Sequence, residues 1–217
     1  MSWEPGPPEP AGPGEEIHLW RADLDAASWP AQEELPPADR ARAEEFLRPE
    51  PARRWAAARW ALRIVLGRYL GEDPAAILLA LAPGGKPRLD RPGPLRFSLS
   101  HSEGLALIAL GSEREIGVDV ERLDPDRDLV ALARAGLDPD DAEAVASAGV
   151  ERRADLFYAA WTRREAVVKC FGEGLGAAAP SERPVEVSEI DAGEGWAAAL
   201  AVAGVGLPAI RRFELRA

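Results

Sequence analysis

Asp119 and Glu121 lie two residues apart in the alternating segment Ile116-Gly-Val-Asp-Val-Glu121. Side chains two apart on a strand share a face and are separated by about 7 Å along the chain. Ile116, Val118 and Val120 then take the opposite, core-facing side. Two carboxylates on one face suit a hard divalent cation, which prefers oxygen ligands and keeps waters for substrate phosphates. The plain alternative is a solvated strand face. Glu165 and Lys169 form a second pair, four apart in a helical segment and so neighbours on one face. At this spacing the usual meaning is a surface ion pair. Trp161 and Val168 lie beside Glu165, however, so the face reads as partly buried, where a carboxylate needs a partner or a cation. Ser100-His101-Ser102 is the third feature: a histidine flanked by hydroxyls at a strand end can hydrogen-bond phosphate oxygens. It could instead be the base of a Ser/His catalytic pair, and a lone histidine is more often structural. Arg42, Arg53, Arg54 and Arg59 form a local basic group that could hold an anion or simply be solvated helix charge. Cys170 reads as a buried, inert thiol. No G-x-S-x-G elbow, phosphate-binding Walker loop or dinucleotide fingerprint is present.

The elements that must position these residues can be read from periodicity. Residues 17–20 form a strand and residues 38–48 an amphipathic helix stopped by Pro49 and Pro51. A long helix follows over 52–70, with Gly71 as its C-cap. Strands are expected at 77–81, 97–100, 105–110 and 116–121, the last three as a meander packed on the long helix. A linker at 123–128 precedes a helical stretch to Ser147, and a second long helix covers 153–171. Strands at 185–190, 196–202 and 209–215 close the chain. The expected fold class is α+β, in two similar halves that each pack a small, mainly antiparallel sheet on a long helix. The expected division is a flexible Pro/Gly-rich leader at 1–16, an N-terminal half at 17–115 and a C-terminal half at 116–217.

Composition narrows the function classes. The 217 residues are 47% hydrophobic and 29% charged, a globular balance. No apolar run approaches the roughly 18 residues that suggest a membrane span, and the first residues lack the basic and apolar segments of a signal peptide. A single cysteine excludes an internal disulfide framework. The net charge of −11 opposes nucleic-acid binding. Only two of the 26 basic residues are lysine, Lys86 and Lys169. In a chain rich in Ala, Arg, Gly and Pro, a retained lysine points to a need for its compact ammonium.

Together, Phe97-Ser-Leu-Ser-His-Ser102, Gly117-Val-Asp-Val-Glu121, Trp161-Thr-Arg-Arg-Glu-Ala-Val-Val-Lys169 and Gly172-Glu-Gly-Leu175 resemble the signature of 4′-phosphopantetheinyl transferases. Gly85-Lys86-Pro87, the chain length and the spacing resemble the Sfp-type branch, over roughly residues 17–215. The resemblance implies a cytoplasmic monomer with a pseudo-dimeric fold. It implies transfer of phosphopantetheine from coenzyme A to a serine of an apo acyl or peptidyl carrier protein, releasing 3′,5′-ADP. By the same resemblance Asp119, Glu121 and Glu165 would hold Mg²⁺ (or Mn²⁺), Glu165 or a water it orients would be the base, and Lys169 would stabilise pyrophosphate charge. Ser100 and His101 would bind coenzyme A phosphates, Lys86 would lie along the nucleotide, and Arg42 and Arg59 would meet the 3′-phosphate. Arg164 replaces the lysine usual before the helix glutamate, and residues 136–141 only weakly match the stretch near which carriers dock. The rival reading is a non-catalytic module of the same fold that binds a carrier or coenzyme A.

Overall fold

Runs of alternating and of continuous apolar residues give this chain strands that are buried on one face or on both, and the sheets follow from that difference. The computed structural model describes residues 2–82, 84–172 and 183–216. In chain order the elements are β1 (Glu4–Pro5), β2 (Ile17–Asp23), α1 (Pro37–Glu44), α2 (Pro49–Leu70), β3 (Leu79–Leu81), β4 (Pro87–Leu89), β5 (Leu95–Ser102), β6 (Leu105–Ser112) and β7 (Ile116–Arg122). They continue with α3 (Leu129–Gly136), α4 (Pro139–Ser147), α5 (Val150–Phe171), β8 (Val185–Glu189), β9 (Trp196–Ala203) and β10 (Ile210–Leu215). The class is α+β. None of the described helices is long and apolar enough to cross a membrane.

The sheets stack in layers. One has the order β1-β10-β2-β6-β5, a second β7-β9-β8, and β3-β4 form a separate hairpin. Along β2, Ile17 and Leu19 join β6 residues Leu107 and Ala109 against Ile116, Val118, Val120 and Leu200 of the second sheet. The alternate residues Trp20 and Ala22 face Ala58, Ala61, Leu62 and Val65 of α2. Both faces of the five-stranded sheet are thus covered, which is why β6 reads as an unbroken apolar run. On the outer side of the second sheet, Ala199 and Ala201 pack on Ala166, Val167 and Cys170 of α5. The order of layers is α2, large sheet, small sheet, α5.

The two long helices start and stop where local chemistry says they must. α2 begins at Pro49, earlier than the periodicity suggests, because proline is well suited to a first helical turn. It ends at Gly71, whose φ of 65° is left-handed. The single helical stretch expected after the 123–128 linker is two helices, broken ahead of Pro139.

Three expectations about organisation change. The meander does not form: β5 and β6 pair, but β7 leaves for the second sheet and pairs with β9. The last strand does not stay with the C-terminal half: β10 runs parallel to β2 inside the first sheet. Residues 2–16, expected as a free extension, are anchored through β1, which pairs with β10, and through the Gly6 N–H on the Glu214 carbonyl at 3.0 Å. Gly6 allows this because its backbone lies against the Trp20 ring, where a Cβ would fall 2.0 Å from a ring carbon.

Candidate functional site

The site is built where β7 lies directly on α5. A Cβ at Gly117 would sit 2.0 Å from the Ala166 carbonyl oxygen and 2.3 Å from the Cys170 nitrogen. Both are backbone atoms that cannot step aside, so the strand approaches the helix this closely only with glycine. Across from Gly117 and Asp119 the neighbouring strand carries Ala201 and Ala199, which keep the floor under the helix low. With Ile116, Val118 and Val120 turned into the sheet-on-sheet core, Gly117, Asp119 and Glu121 turn toward α5, as alternation requires.

Asp119 is 2% exposed. Its Oδ1 accepts from Lys169 Nζ at 2.5 Å and from Ser100 Oγ at 2.8 Å. Its Oδ2 is buried and, among the described residues, has no hydrogen-bond partner. That orphaned oxygen is unusual, since buried polar atoms are nearly always satisfied. Glu165 is 4% exposed and accepts from Arg164 Nη1 at 2.7 Å. Glu121 Oε2 accepts from Ser102 Oγ at 2.7 Å. Burial raises the pKa of both glutamates, and the charge of Asp119 raises each further. Both glutamates therefore feel the charge of Asp119 in a poorly solvated place. Glu165 and Lys169, one helical turn apart, form no ion pair with each other among the described residues; Lys169 turns to Asp119 on β7 and Glu165 to its neighbour Arg164 on the same helix.

These groups line a cavity of about 390 Å³ that also touches Gly84, Gly85, Lys86, Pro87, Trp161 and Val168. A wider groove of about 790 Å³ lies on the other side of Glu121 and Ser102, bordered by Arg21, Asp23, Arg122, Asp124 and Arg127. Of these two, the smaller cavity is the one that combines Asp119, Glu121 and Glu165 with a lysine. Its donor set is hard oxygen plus one ammonium, which is the chemistry that holds a divalent cation and a phosphate together. The orphaned Asp119 oxygen and the repulsion between Asp119 and each glutamate fit a cation there. Among the described residues, however, no three His, Cys, Asp or Glu side chains already close into a metal cluster; Lys169 stands against Asp119 instead.

Other residues singled out from sequence have different surroundings. Ser100 Oγ receives Lys169 Nζ at 2.8 Å and the Val120 N–H at 3.4 Å while donating to Asp119, so its capacity is filled by protein. His101, the next residue, points to the opposite face of β5. Burial first, then the Lys169 charge, lower its pKa to about 4, so the ring is neutral. Lys86 borders the cavity, but its ammonium donates to Glu115 Oε2 (3.1 Å) and to the carbonyls of Ile116 (2.8 Å) and Cys170 (3.1 Å). It thereby ties the β3-β4 hairpin to the last turn of α5. Gly172 caps that helix with a φ of 68°, while residues 173–175 of the same motif lie outside the described residues. Cys170 is buried, and desolvation pushes its thiol up to about 11.

The local basic group does not reach the cavity. Arg59 is buried and holds Asp39 Oδ1 through Nε at 2.9 Å and Nη2 at 2.7 Å. Arg63 takes Asp39 Oδ2 at 2.7 Å. Arg42 is exposed and pairs with Glu45, while Arg53 and Arg54 pair with Asp25. Asp39 escaped the sequence reading. The available signal was Arg59 and Arg63, four apart on a helix otherwise apolar enough to be buried, which demands a buried anion. The roles of Ser98 and Ser102 were missed as well, although their strict alternation with Ser100 was visible.

Comparison with known proteins gives a consistent result. A family model described as the 4′-phosphopantetheinyl transferase superfamily matches residues 115–204, the part that carries β7, α5 and β9. The chain is similar to the 4′-phosphopantetheinyl transferase HetI of Nostoc sp., with 36% identity over 94% of this chain and 95% of that protein. It is 30% identical to the 4′-phosphopantetheinyl transferase AcpT of Escherichia coli (strain K12), over 70% of this chain and 72% of the relative. A 4′-phosphopantetheinyl transferase of Bacillus subtilis is 26% identical over 63% of this chain and 59% of its own length.

Proposed function

The chain belongs to the 4′-phosphopantetheinyl transferase superfamily and is such a transferase, and from that premise we propose how its own residues carry the reaction. The carrier's serine oxygen forms a bond to the phosphorus that bears the pantetheine arm of coenzyme A. The anhydride bond breaks, and 3′,5′-ADP leaves. The observation that carries this reading is Asp119, buried where β7 meets α5 with one oxygen on Lys169 and the other, among the described residues, without a partner.

Asp119, Glu121 and Glu165 would hold Mg²⁺, with Mn²⁺ as a substitute of the same oxygen preference. When bound, the cation supplies Lewis-acid polarisation of a phosphoryl oxygen and offsets charge on the leaving phosphate. Glu165 takes the serine proton, directly or through a water it orients. Its burial raises its proton affinity, which suits a base working near neutral pH. Lys169 offers a fixed positive charge to the pyrophosphate from its seat on Asp119 and Ser100. Ser100 orients those two groups. Lys86 and Pro87 border the side on which the nucleotide would lie, and His101 approaches from the far face of β5 as a neutral donor. The enzyme acts as a monomer in the cytoplasm on acyl or peptidyl carrier proteins.

The same reading treats the halves as a pseudo-dimer. Each lays a helix of 22 residues, closed by a left-handed glycine, on the outer face of its sheet. The boundary near residue 116 is crossed by β10, which returns to the first sheet.

The test is to incubate the protein with coenzyme A, Mg²⁺ and a panel of apo carriers, and to weigh the carriers intact. One added phosphopantetheine, lost when the metal is chelated, is the expected result. Transfer that survives chelation would remove the cation from this account. Binding of coenzyme A without any mass gain would favour a silent binding module.

A further inference from the structure

Among the described residues β7 is an edge strand of the second sheet, and its outward N–H groups have no strand to pair with. They are taken up by side chains from the other sheet. Ser98, Ser100 and Ser102 alternate along one face of β5. Their hydroxyl oxygens accept from the N–H groups of Val118 (3.1 Å), Val120 (3.4 Å) and Arg122 (3.2 Å). Both series advance by two, so the seam is a ladder whose rungs are hydroxyls instead of carbonyls. Burying an edge in this way leaves no amide unsatisfied.

A hydroxyl that accepts an N–H still has a proton to donate, and a carbonyl would not. Ser100 donates to Asp119 and Ser102 donates to Glu121 Oε2 at 2.7 Å. For Ser98, no carboxylate acceptor is found among the described residues. We propose that Ser102 is a positioning residue: through its hydroxyl proton it fixes the Glu121 carboxylate at the junction of the two cavities, in the orientation that receives a divalent cation. The inference rests on the reading of Glu121 as a cation ligand. Glu121 has three side-chain torsions and no second hydrogen-bond donor among the described residues. Without Ser102 its carboxylate would be free to turn toward the wider groove. Carboxylates that ligate metals are commonly held in this way, and losing the holder weakens metal binding by about 10–100-fold.

The test measures Mn²⁺ binding to the full chain, without coenzyme A, from the electron paramagnetic resonance signal of the free ion. Thermal melting of each variant accompanies it. Ser102→Ala should bind Mn²⁺ about tenfold more weakly, and Ser102→Thr, which keeps the hydroxyl, should restore binding. Ser98→Ala removes an equivalent rung with no carboxylate attached. It should lower the melting temperature about as much as Ser102→Ala and leave Mn²⁺ affinity at the parent level. Equal affinity in Ser102→Ala and parent, with Glu121→Gln weakened, would overturn the role of Ser102 alone. Equal weakening by Ser98→Ala and Ser102→Ala would assign the effect to the seam as a whole and overturn it too. Unchanged binding in Glu121→Gln, or no binding by the parent, would instead remove Glu121 or the cation from the site and take this inference with it.

Discussion

Two buried aspartates, one in each half, show how differently the same side chain can be used. Asp39 has both carboxylate oxygens held, one by Arg59 and the other by Arg63, and Arg63 goes on to the carbonyls of Pro74 and Ile77. The cluster is closed and has nothing left to offer a ligand. Asp119 has one oxygen held and one bare, with two further acids whose protonation its charge promotes. Burying an incompletely paired charge is destabilising, and such a group persists where something else completes it. A closed cluster has no acceptor left for a ligand and an open one does, and hydrogen-bond accounting distinguishes them where burial alone does not.

The comparison breaks most sharply at the two aspartates themselves. Asp119→Asn should lower transfer by about 10³-fold, the upper end of what loss of one preorganised electrostatic group does. Its urea midpoint should stay near that of the parent. Carrier mass gain and a denaturation curve on the same preparation check both halves of the statement. Asp39→Asn should do the reverse. Two buried guanidinium groups lose their anion, a change expected to reduce stability by about 3–5 kcal/mol, while the protein that remains folded transfers at close to the parent rate. If Asp39→Asn proved stable but inactive, the closed cluster would not be scaffold.

A third prediction sharpens the electrostatics of the open cluster. His101 titrates near 6.5 when unfolded, and its folded value is lowered to about 4. Between those values the unfolded chain binds more protons, so stability falls as pH is lowered from 6.5 toward 4. The loss from this one residue approaches roughly 3 kcal/mol. The raised glutamates act in the opposite sense, since the folded state takes up their protons first. Comparing parent with His101→Gln across this range cancels their contribution. A pH dependence identical in both proteins would show that the ring is not held neutral. The smallest effect belongs to Lys86→Met. Losing a charged donor to two carbonyls and Glu115 should reduce stability by about 1.5–3 kcal/mol, measured by urea denaturation. No change would mean that the hairpin is not clamped to α5 through this ammonium.

Much of this was legible along the chain. Periodicity located both long helices to within three residues at each end, and proline and glycine marked where they begin and stop. The alternation in residues 116–121 put Asp119 and Glu121 on one face, and four-residue spacing put Glu165 beside Lys169. These are local properties, fixed by strand and helix geometry. The scarcity of lysine drew attention to Lys86 and Lys169, yet not to what they touch. Arg42 and Arg59 show the limit: an arginine's charge is visible in sequence, while the acid that neutralises it is found only in three dimensions.

The sequence by itself determined the two long helices, most of the longer strands and the faces on which the acids lie; that Gly117 lets β7 meet α5 emerged only from the structure. Tertiary structure decided that β7 would leave its expected neighbours, that β10 would return to the first sheet, and that three serine hydroxyls would replace a strand along the unpaired edge of β7. It also decided which buried aspartate is complete and which is open. The physical reason is the range of the interactions. Backbone torsions and side-chain periodicity act over a few residues and leave a pattern in the chain. Hydrogen-bond partners separated by 19 to 69 residues, such as Ser100 with Asp119 and with Lys169, are chosen only when the layers close on one another.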